Sequence, residues 1–261
     1  MTFPDLNLIV LLLVAHFMGD FTFQPRNWVD EKRRRKWRSP YLYYHVLIHF
    51  LLALTVIIWI TGTWSSLGAI GALVIALGHF ALDLTKIYYV KYIEKEWHDV
   101  GVQRGLVFLW DQIGHFLILF LVAVWLQNSM WIAETPDKLV KFLIVALGYY
   151  FVLYPTAAFV DLSTQDWQVY IESHHKDEGL PMAGRTIGQL ERFLALTFIL
   201  MGQYTALGFL IGAKSIFRFG DLSRGLHHKK TEYILIGTLL SFAVVVVVGL
   251  IVSWFLAVPS F

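Results

Sequence analysis

Seven apolar runs dominate the pattern of hydrophobic and polar positions along the chain, and polar, charged segments separate them. They cover approximately residues 4–24, 40–62, 66–90, 105–127, 138–161, 187–212 and 232–257. A helix of about 20 residues crosses the hydrocarbon core of a bilayer, so each run is long enough for a membrane-spanning helix. The pattern predicts an all-α fold, a polytopic transmembrane helix bundle of about seven helices.

The first four of these runs resemble a duplicated helical hairpin. The motif His-Phe-x-x-Asp occurs at 16–20 and again at 79–83, and the motif His-Phe-Leu occurs at 49–51 and again at 115–117. An internal repeat of this kind often places a site at the interface between its copies.

The repeat suggests a division of the chain into two parts. We interpret residues 1–128 as a four-helix membrane bundle and residues 129–261 as a C-terminal membrane region of about three helices.

Composition supports a membrane protein. The 261 residues are 57% hydrophobic and only 15% charged, whereas soluble domains average about 25% charged residues. Cysteine is absent, so neither disulfides nor thiolate metal ligands enter the interpretation, and the net charge of +2 is too small to indicate a nucleic-acid partner. The first run has Asp5 and no basic residue before it, which is not typical of a cleavable signal peptide. We expect a multi-pass protein of the bacterial inner membrane.

Loop charges predict the orientation of the first four runs but not of the later ones. The loop after the first run is basic and should be cytoplasmic; it carries Arg26, Lys32, Arg33, Arg34, Arg35, Lys36 and Arg38. Counting onward, residues 213–231 should lie outside, yet this segment is also basic. Either the sixth run is re-entrant or partly cytoplasmic, or these charges lie in a protein-lined groove.

Each of the first four runs contains two residues of metal-ligand type, four positions apart. The pairs are His16 with Asp20, His45 with His49, His79 with Asp83, and Asp111 with His115. Residues at this spacing share one face of a helix about one turn apart. All four pairs fall near the cytoplasmic ends of their runs, so they lie at one depth, and we expect the eight side chains to converge.

Charge indicates metal rather than simple helix packing. A carboxylate inside a membrane costs about 2.5–3.5 kcal/mol even on the lenient insertion scale, and Asp20, Asp83 and Asp111 all need compensation. We expect the eight side chains to bind two divalent ions near 3.5–4 Å apart, with zinc favoured and manganese or iron as alternatives. Hydrogen bonds between packed helices are the other explanation for these residues.

Two polar residues lie on the same helix faces as the proposed ligands. Gln24 follows Asp20 by one turn and Lys86 follows Asp83 by three residues, so we assign both to substrate binding. Asp20, Asp83 and Asp111 are the candidate catalytic groups, because no separate glutamate base stands out within the bundle. Lys86 as a snorkelling side chain is the alternative to a substrate contact.

The second half offers weaker signals. Four basic residues near the ends of the sixth run could bind phosphate or anchor helices at the interface: Arg185, Arg192, Lys214 and Arg218. Glu191 could neutralise Arg192 or a lysine from another helix. Two GxxxG spacings, Gly184/Gly188 and Gly208/Gly212, would allow close packing of helices. We therefore expect a homo-oligomer through these GxxxG faces.

The spacing of the polar motifs resembles a known family. The run from His16 to Phe21 followed by Gln24, and the later pairs with Lys86 and Gln112, are similar to a bacterial membrane-protein family of unknown function, number 3307 among such domains. The resemblance covers about the first 125 residues and implies no known reaction. A looser similarity links the chain to membrane-bound metal-dependent hydrolases, and it depends on the use of His and Asp on short spans.

Together these features predict a metal-dependent membrane hydrolase with a dinuclear His/Asp site near the cytoplasmic face. Its substrate would be a lipid or a lipid-linked molecule, with phosphate in the head group favoured by the basic residues. A divalent metal-ion transporter or a protein in which metal is purely structural is the alternative. A diiron oxidase fits less well, because such membrane enzymes use more His and fewer Asp.

Overall fold

The computed structural model describes residues 6–96, 101–133, 135–174, 183–222 and 228–257, and all regular secondary structure in these ranges is helical. The α-helices are α1 (Leu6–Phe17), α2 (Arg26–Arg35), α3 (Pro40–Thr61), α4 (Ser66–Glu96), α5 (Gly101–Ser129), α6 (Asp137–Leu153), α7 (Pro155–His174), α8 (Ala183–Leu200), α9 (Tyr204–Leu222) and α10 (His228–Ala257). A π-helical segment, Met18–Thr22, follows α1, and a short 3-10 helix, Lys36–Arg38, follows α2. The predicted all-α helix bundle is confirmed.

Five helical stretches among the described residues are long and apolar enough to cross a membrane: Pro40–Thr61, Ser66–Glu96, Gly101–Ser129, Asp137–Ile171 and Glu232–Ala257. A sixth is added if the bent pair formed by Leu6–Thr22 and Arg26–Arg38 is one span. Large apolar side chains such as Leu47, Leu77 and Leu121 are about half exposed on the outside of these helices. This arrangement is consistent with a multi-pass membrane protein, because lipid would cover such side chains.

The first apolar run does not continue as a straight helix. Its helix bends by 82° between the π-helical segment and α2. Residues 26–35, which the sequence predicts as a basic loop, are helical. Pro25 occupies the position before the helix with ψ 150°, a conformation that ends the preceding helix and starts a new one.

Two compact units divide the described residues. The first contains 6–96 and 106–143, and therefore all of α1 to α4. The second contains 101–105 and the described residues from 144 onward. The division after residue 128 stays a prediction.

An apolar core fills one end of the first unit. Its fully buried members include Leu8 and Leu12 of α1, Ile57 of α3, Ala72 of α4 and Leu126 of α5. The loop charges assign the His/Asp pairs to the cytoplasmic half of the membrane, and these apolar positions lie in the opposite, outer half. The polar residues of the bundle are therefore confined to its other end.

The sixth apolar run, for which the sequence left a re-entrant segment open, is not one continuous helix. Residues 187–212 belong to two helices, α8 and α9, because the chain turns at Met201–Gln203. Gly202 has a φ of +69°, a backbone conformation that glycine adopts without the steric cost other residues meet. The sequence carried one sign of this turn, since the polar Gln203 follows Gly202 in the middle of the apolar run.

The two GxxxG spacings do not pack against other helices in the described part of the chain. A Cβ atom built on Gly184, Gly208 or Gly212 would meet nothing within 4 Å, and one on Gly188 would meet only the guanidinium of Arg192. The homo-oligomer expected through these faces stays a prediction.

Candidate metal centre

The eight predicted ligand side chains lie together inside the first unit. They are His16 and Asp20 from α1 and the π-helical segment, His45 and His49 from α3, His79 and Asp83 from α4, and Asp111 and His115 from α5. None of the five histidines is more than 3% exposed. The spacing of four residues places both members of each pair on the inward face of their helix, and four such faces meet.

The carboxylate of Asp20 is the centre of this cluster. Its Oδ1 atom lies 3.1 Å from Nε2 of His49, 3.3 Å from Nε2 of His45 and 3.4 Å from Nε2 of His79. Its Oδ2 atom lies 3.6 Å from Nε2 of His16. Four imidazoles therefore surround one carboxylate, with ring nitrogens facing both of its oxygens.

Local backbone structure allows this close approach. Asp20 lies in the π-helical segment, and π-helical turns are rare and frequent at functional sites. Its neighbour Gly19 lies against the ring of His49: a Cβ atom on Gly19 would be 2.5 Å from Cε1 and 2.6 Å from Nε2 of that ring. Only a glycine leaves room for the imidazole at this distance.

One group of four has the geometry of a metal site. The ligand atoms of His16, Asp20, His49 and His79 all lie within 4.8 Å of one another. In a tetrahedral zinc site with bonds near 2.0–2.1 Å, neighbouring ligand atoms are roughly 3.3 Å apart. From Oδ1 of Asp20, the separations of 3.1 Å to Nε2 of His49 and 3.4 Å to Nε2 of His79 are close to that value, whereas the 3.6 Å separation to Nε2 of His16 is from Oδ2.

Two smaller groups share residues with the first and with each other. They are His45, His79 and Asp83, and Asp83, Asp111 and His115. All eight predicted ligands are thus members of at least one group with ligand geometry.

Three buried ring nitrogens lack a hydrogen-bond partner within the described residues: Nε2 of His16, Nδ1 of His45 and Nε2 of His115. A cavity of about 10 Å³ is lined by the rings of His16, His79 and His115, and Ile75 and Leu119 are among its apolar lining residues. A space of this size holds about one water molecule. An unsatisfied buried polar atom costs about 1–3 kcal/mol, so these nitrogens are a cost to the packing of the four helices.

Two lysines pair with the other two carboxylates. Nζ of Lys32 donates a hydrogen bond to Oδ2 of Asp83 at 2.6 Å, and Nζ of Lys86 donates one to Oδ2 of Asp111 at 2.6 Å. Lys86 also lies 3.6 Å from Oδ1 of Asp83. Of the three predicted catalytic carboxylates, Asp20 alone has no lysine partner within the described cluster.

Sequence reasoning missed Lys32, which it treated as part of a basic topology signal. The side chain is only 4% exposed, whereas the neighbouring Arg33 and Arg34 are exposed. One signal was available: Trp28 precedes Lys32 by one helical turn, and its ring stacks on Tyr41 at 5.1 Å. An apolar residue at this spacing in a basic segment indicates that one face of the segment turns inward.

Two glutamines donate hydrogen bonds within the cluster. Nε2 of Gln24 donates to Nε2 of His45 at 2.7 Å, and Nε2 of Gln112 donates to Oδ2 of Asp20 at 3.2 Å. Gln24 and Lys86 were assigned to substrate binding. Both contact the proposed ligands directly in the structure, so they orient those ligands, and a substrate contact stays a prediction.

The charged residues of the second half do not form one phosphate-binding cluster among the described side chains. Lys214 forms an ion pair with Glu191, Nη1 of Arg192 donates to Oγ of Ser241 at 3.2 Å, and Arg185 is exposed. The side chain of Arg218 lies outside the described side chains. The phosphate site at these residues stays a prediction.

Comparison with known proteins identifies a family for the first unit. The model of a family described as "Protein of unknown function (DUF3307)" matches residues 8–143, slightly more than half of the chain. No curated protein and no solved structure matches the chain. The looser similarity to metal-dependent hydrolases has no counterpart in these comparisons.

Substitution of Gly19 by Ala should disrupt the cluster. The added Cβ would overlap the ring of His49, so we expect His49 to be displaced from Asp20 and metal bound to the purified protein to fall at least severalfold. Gly208→Ala is the matched control, because a Cβ there meets nothing and alanine favours a helix. Equal metal content in the two variants, measured by elemental mass spectrometry, would contradict this role for Gly19.

Substitution of Lys32 by Met should destabilise the first unit through Asp83. Removing one partner of a buried ion pair typically costs about 3–5 kcal/mol, so we expect a clear fall in the midpoint of thermal unfolding in detergent. Adding Asp83→Asn to Lys32→Met should recover most of the loss, since the uncompensated charge is then removed. Arg34→Met is the control at an exposed position, and a Lys32→Met protein as stable as this control would refute the pairing.

Proposed function

The chain belongs to the DUF3307 family, whose description assigns no activity. From the geometry of the His/Asp cluster we propose that a divalent metal ion binds to His16, Asp20, His49 and His79. The observation that carries this proposal is the set of four donor atoms within 4.8 Å of one another. The unpaired ring nitrogen of His16 supports it. Imidazole and carboxylate ligands suit zinc, with manganese and iron as alternatives.

Charge favours one ion over the two expected from the sequence. The cluster contains three carboxylates and two ammonium groups, which leaves one negative charge. One divalent ion changes this to one positive charge, and a hydroxide ion neutralises it. A second ion at Asp83, Asp111 and His115 would have to displace the lysines from their carboxylates, so the dinuclear site stays the less favoured form of the proposal.

The reaction that we propose is hydrolysis of a lipid or lipid-linked substrate at the inner membrane. A bound divalent ion supplies a nucleophile by activating water and stabilises negative charge that develops on the substrate. The side chain of Lys86 is 30% exposed while it contacts Asp111, so it is the cation of the site that an anionic, phosphate-bearing head group would meet first. Of the candidate catalytic groups Asp20, Asp83 and Asp111, we favour Asp20 as the proton acceptor, because no lysine pairs with it in the described cluster.

The apolar core of the first unit argues against transport across the membrane. Ile57, Ala72, Leu119 and Leu126 are at most 3% exposed, and they fill the bundle beyond the His/Asp cluster. A carrier would need a polar path through this region. A structural metal site is the second candidate, because the five histidines are almost completely buried and the adjoining cavity has room for about one water.

Metal analysis of the purified full-length protein tests the site. We expect about one divalent ion per chain in the wild type and a loss of most of this metal in Asp20→Asn and in His49→Ala. Asp137→Asn is the matched control, since this carboxylate lies at the start of α6 and pairs with Lys141. Near-stoichiometric metal in Asp20→Asn would exclude the proposed ligand set.

Product release from vesicles of radiolabelled phospholipid tests the reaction. The metal-loaded wild type should release a water-soluble product, and Lys86→Met should weaken turnover of anionic lipids more than that of zwitterionic lipids. Addition of metal to chelator-treated protein should also raise its midpoint of unfolding, because a ligand that binds only the folded state stabilises it. Stabilisation by metal without product release would favour the structural site over the hydrolase.

A further inference from the structure

Backbone hydrogen bonds close the turn between α8 and α9. The N–H of Gly202 donates to the carbonyl of Ile199 at 3.0 Å, and the N–H of Gln203 donates to the carbonyl of Phe198 at 2.7 Å. Backbone groups that enter an apolar environment must be satisfied internally. These bonds pair two of the N–H groups at the point where the chain reverses direction.

Helix α9 runs back along α8. The ammonium group of Lys214 in α9 forms an ion pair with the carboxylate of Glu191 in α8. These two residues lie almost equally far from Gly202 in the sequence, as expected for the arms of an antiparallel hairpin. The polar ends of both helices are thus at the same end of the hairpin, and the turn is at the other.

Helix α8 runs in the same direction as α10. Nη1 of Arg192 donates to Oγ of Ser241 at 3.2 Å. Further along both helices, Ile199 lies so close to Gly249 that a Cβ on this glycine would be 2.7 Å from it. The second contact lies seven residues after the first in α8 and eight residues after it in α10, so the two helices are parallel. The first residues of α8 are therefore at the same end of this helix pair as the first residues of α10. Helix α9, which is antiparallel to α8, returns to that end.

The distribution of basic residues supports the same arrangement. The segment 213–231 carries Lys214, Arg218, Arg224, Lys229 and Lys230, whereas no Lys or Arg follows Lys230. Arg224 lies outside the described residues. Lys and Arg concentrate in cytoplasmic loops, so a crossing by α8 and α9 would place the basic segment outside and the tail without basic residues inside.

We propose that α8 and α9 form a hairpin that enters and leaves by the cytoplasmic face, so that the chain on both sides of it is cytoplasmic. The hairpin resolves the conflict that the loop charges create when residues 187–212 are counted as one span. Helix α10 then leads from the cytoplasm outward. The ion pair between Glu191 and Lys214 holds the two arms together, and the proposal is independent of metal binding in the first unit.

Labelling of single cysteines in the whole protein tests this topology, and the natural sequence contains no cysteine to interfere. Arg185→Cys lies before the hairpin, and Leu222→Cys and Asp221→Cys lie at its end. Trp64→Cys, between α3 and α4, is the outside control, and Arg34→Cys is the cytoplasmic control. Each variant is treated with a membrane-impermeant maleimide, first in intact spheroplasts and then after permeabilisation.

We expect Arg185→Cys, Leu222→Cys and Asp221→Cys to react only after permeabilisation, as Arg34→Cys does, while Trp64→Cys reacts in intact spheroplasts. Reaction of position 221 or 222 in intact spheroplasts with protection of position 185 would show that α8 and α9 cross the membrane. Reaction of both sides in intact spheroplasts would overturn the cytoplasmic assignment. Both position 221 and position 222 are tested, so that the end of α9 can still be located if one of these two variants folds poorly.

Charge exchange provides a second measurement of the hairpin. Glu191→Lys places two cations together and should lower the unfolding midpoint in detergent, and Glu191→Lys with Lys214→Glu should restore most of it. A double variant no more stable than the single one would show that the two side chains do not pair across the hairpin.

Discussion

Compensation of buried charge is the constraint on which the first unit depends. Five imidazoles, three carboxylates and two ammonium groups lie in a bundle whose outer surface is apolar. An isolated ion in such surroundings is costly, and a buried ion pair is tolerated only when good geometry offsets its desolvation. Each described carboxylate of the cluster therefore has close cationic or imidazole neighbours, and the positions of four helices follow from the need to bring these groups together.

The two halves of the repeat satisfy this constraint in different ways. In the second copy, Asp83 and Asp111 are held by Lys32 and Lys86 at 2.6 Å. In the first copy, His45 occupies the position equivalent to Asp111, and imidazoles surround the carboxylate of Asp20. The bend after the π-helical segment accounts for one part of this difference, because α2 follows it and places Lys32 against Asp83 of the other copy. The other part lies in the sequence, since His45 replaces Asp111 and Lys86 belongs to the second copy. A repeated sequence motif thus gives an asymmetric cluster.

Backbone hydrogen bonding sets the corresponding constraint in the second unit. A chain reversal in an apolar environment needs partners for its N–H and C=O groups, and carbonyls of α8 accept hydrogen bonds from the N–H groups of Gly202 and Gln203. The ion pair of Glu191 with Lys214 and the contact of Arg192 with Ser241 then fix the hairpin against α10. Charged residues that looked like interface anchors in the sequence are therefore internal contacts between helices.

The sequence by itself determined the helical class, the four helices that carry the His/Asp pairs and the inward face of each, because hydropathy and a spacing of four residues are local properties of a helix. The loop charges set the direction of each run and so predicted a shared depth for the pairs. Only the tertiary structure decided that Lys32 reaches Asp83, that Lys86 binds Asp111 and that residues 187–212 turn back at Gly202. These outcomes depend on which distant groups meet and on single backbone angles, and neither quantity is encoded in the periodicity of apolar residues.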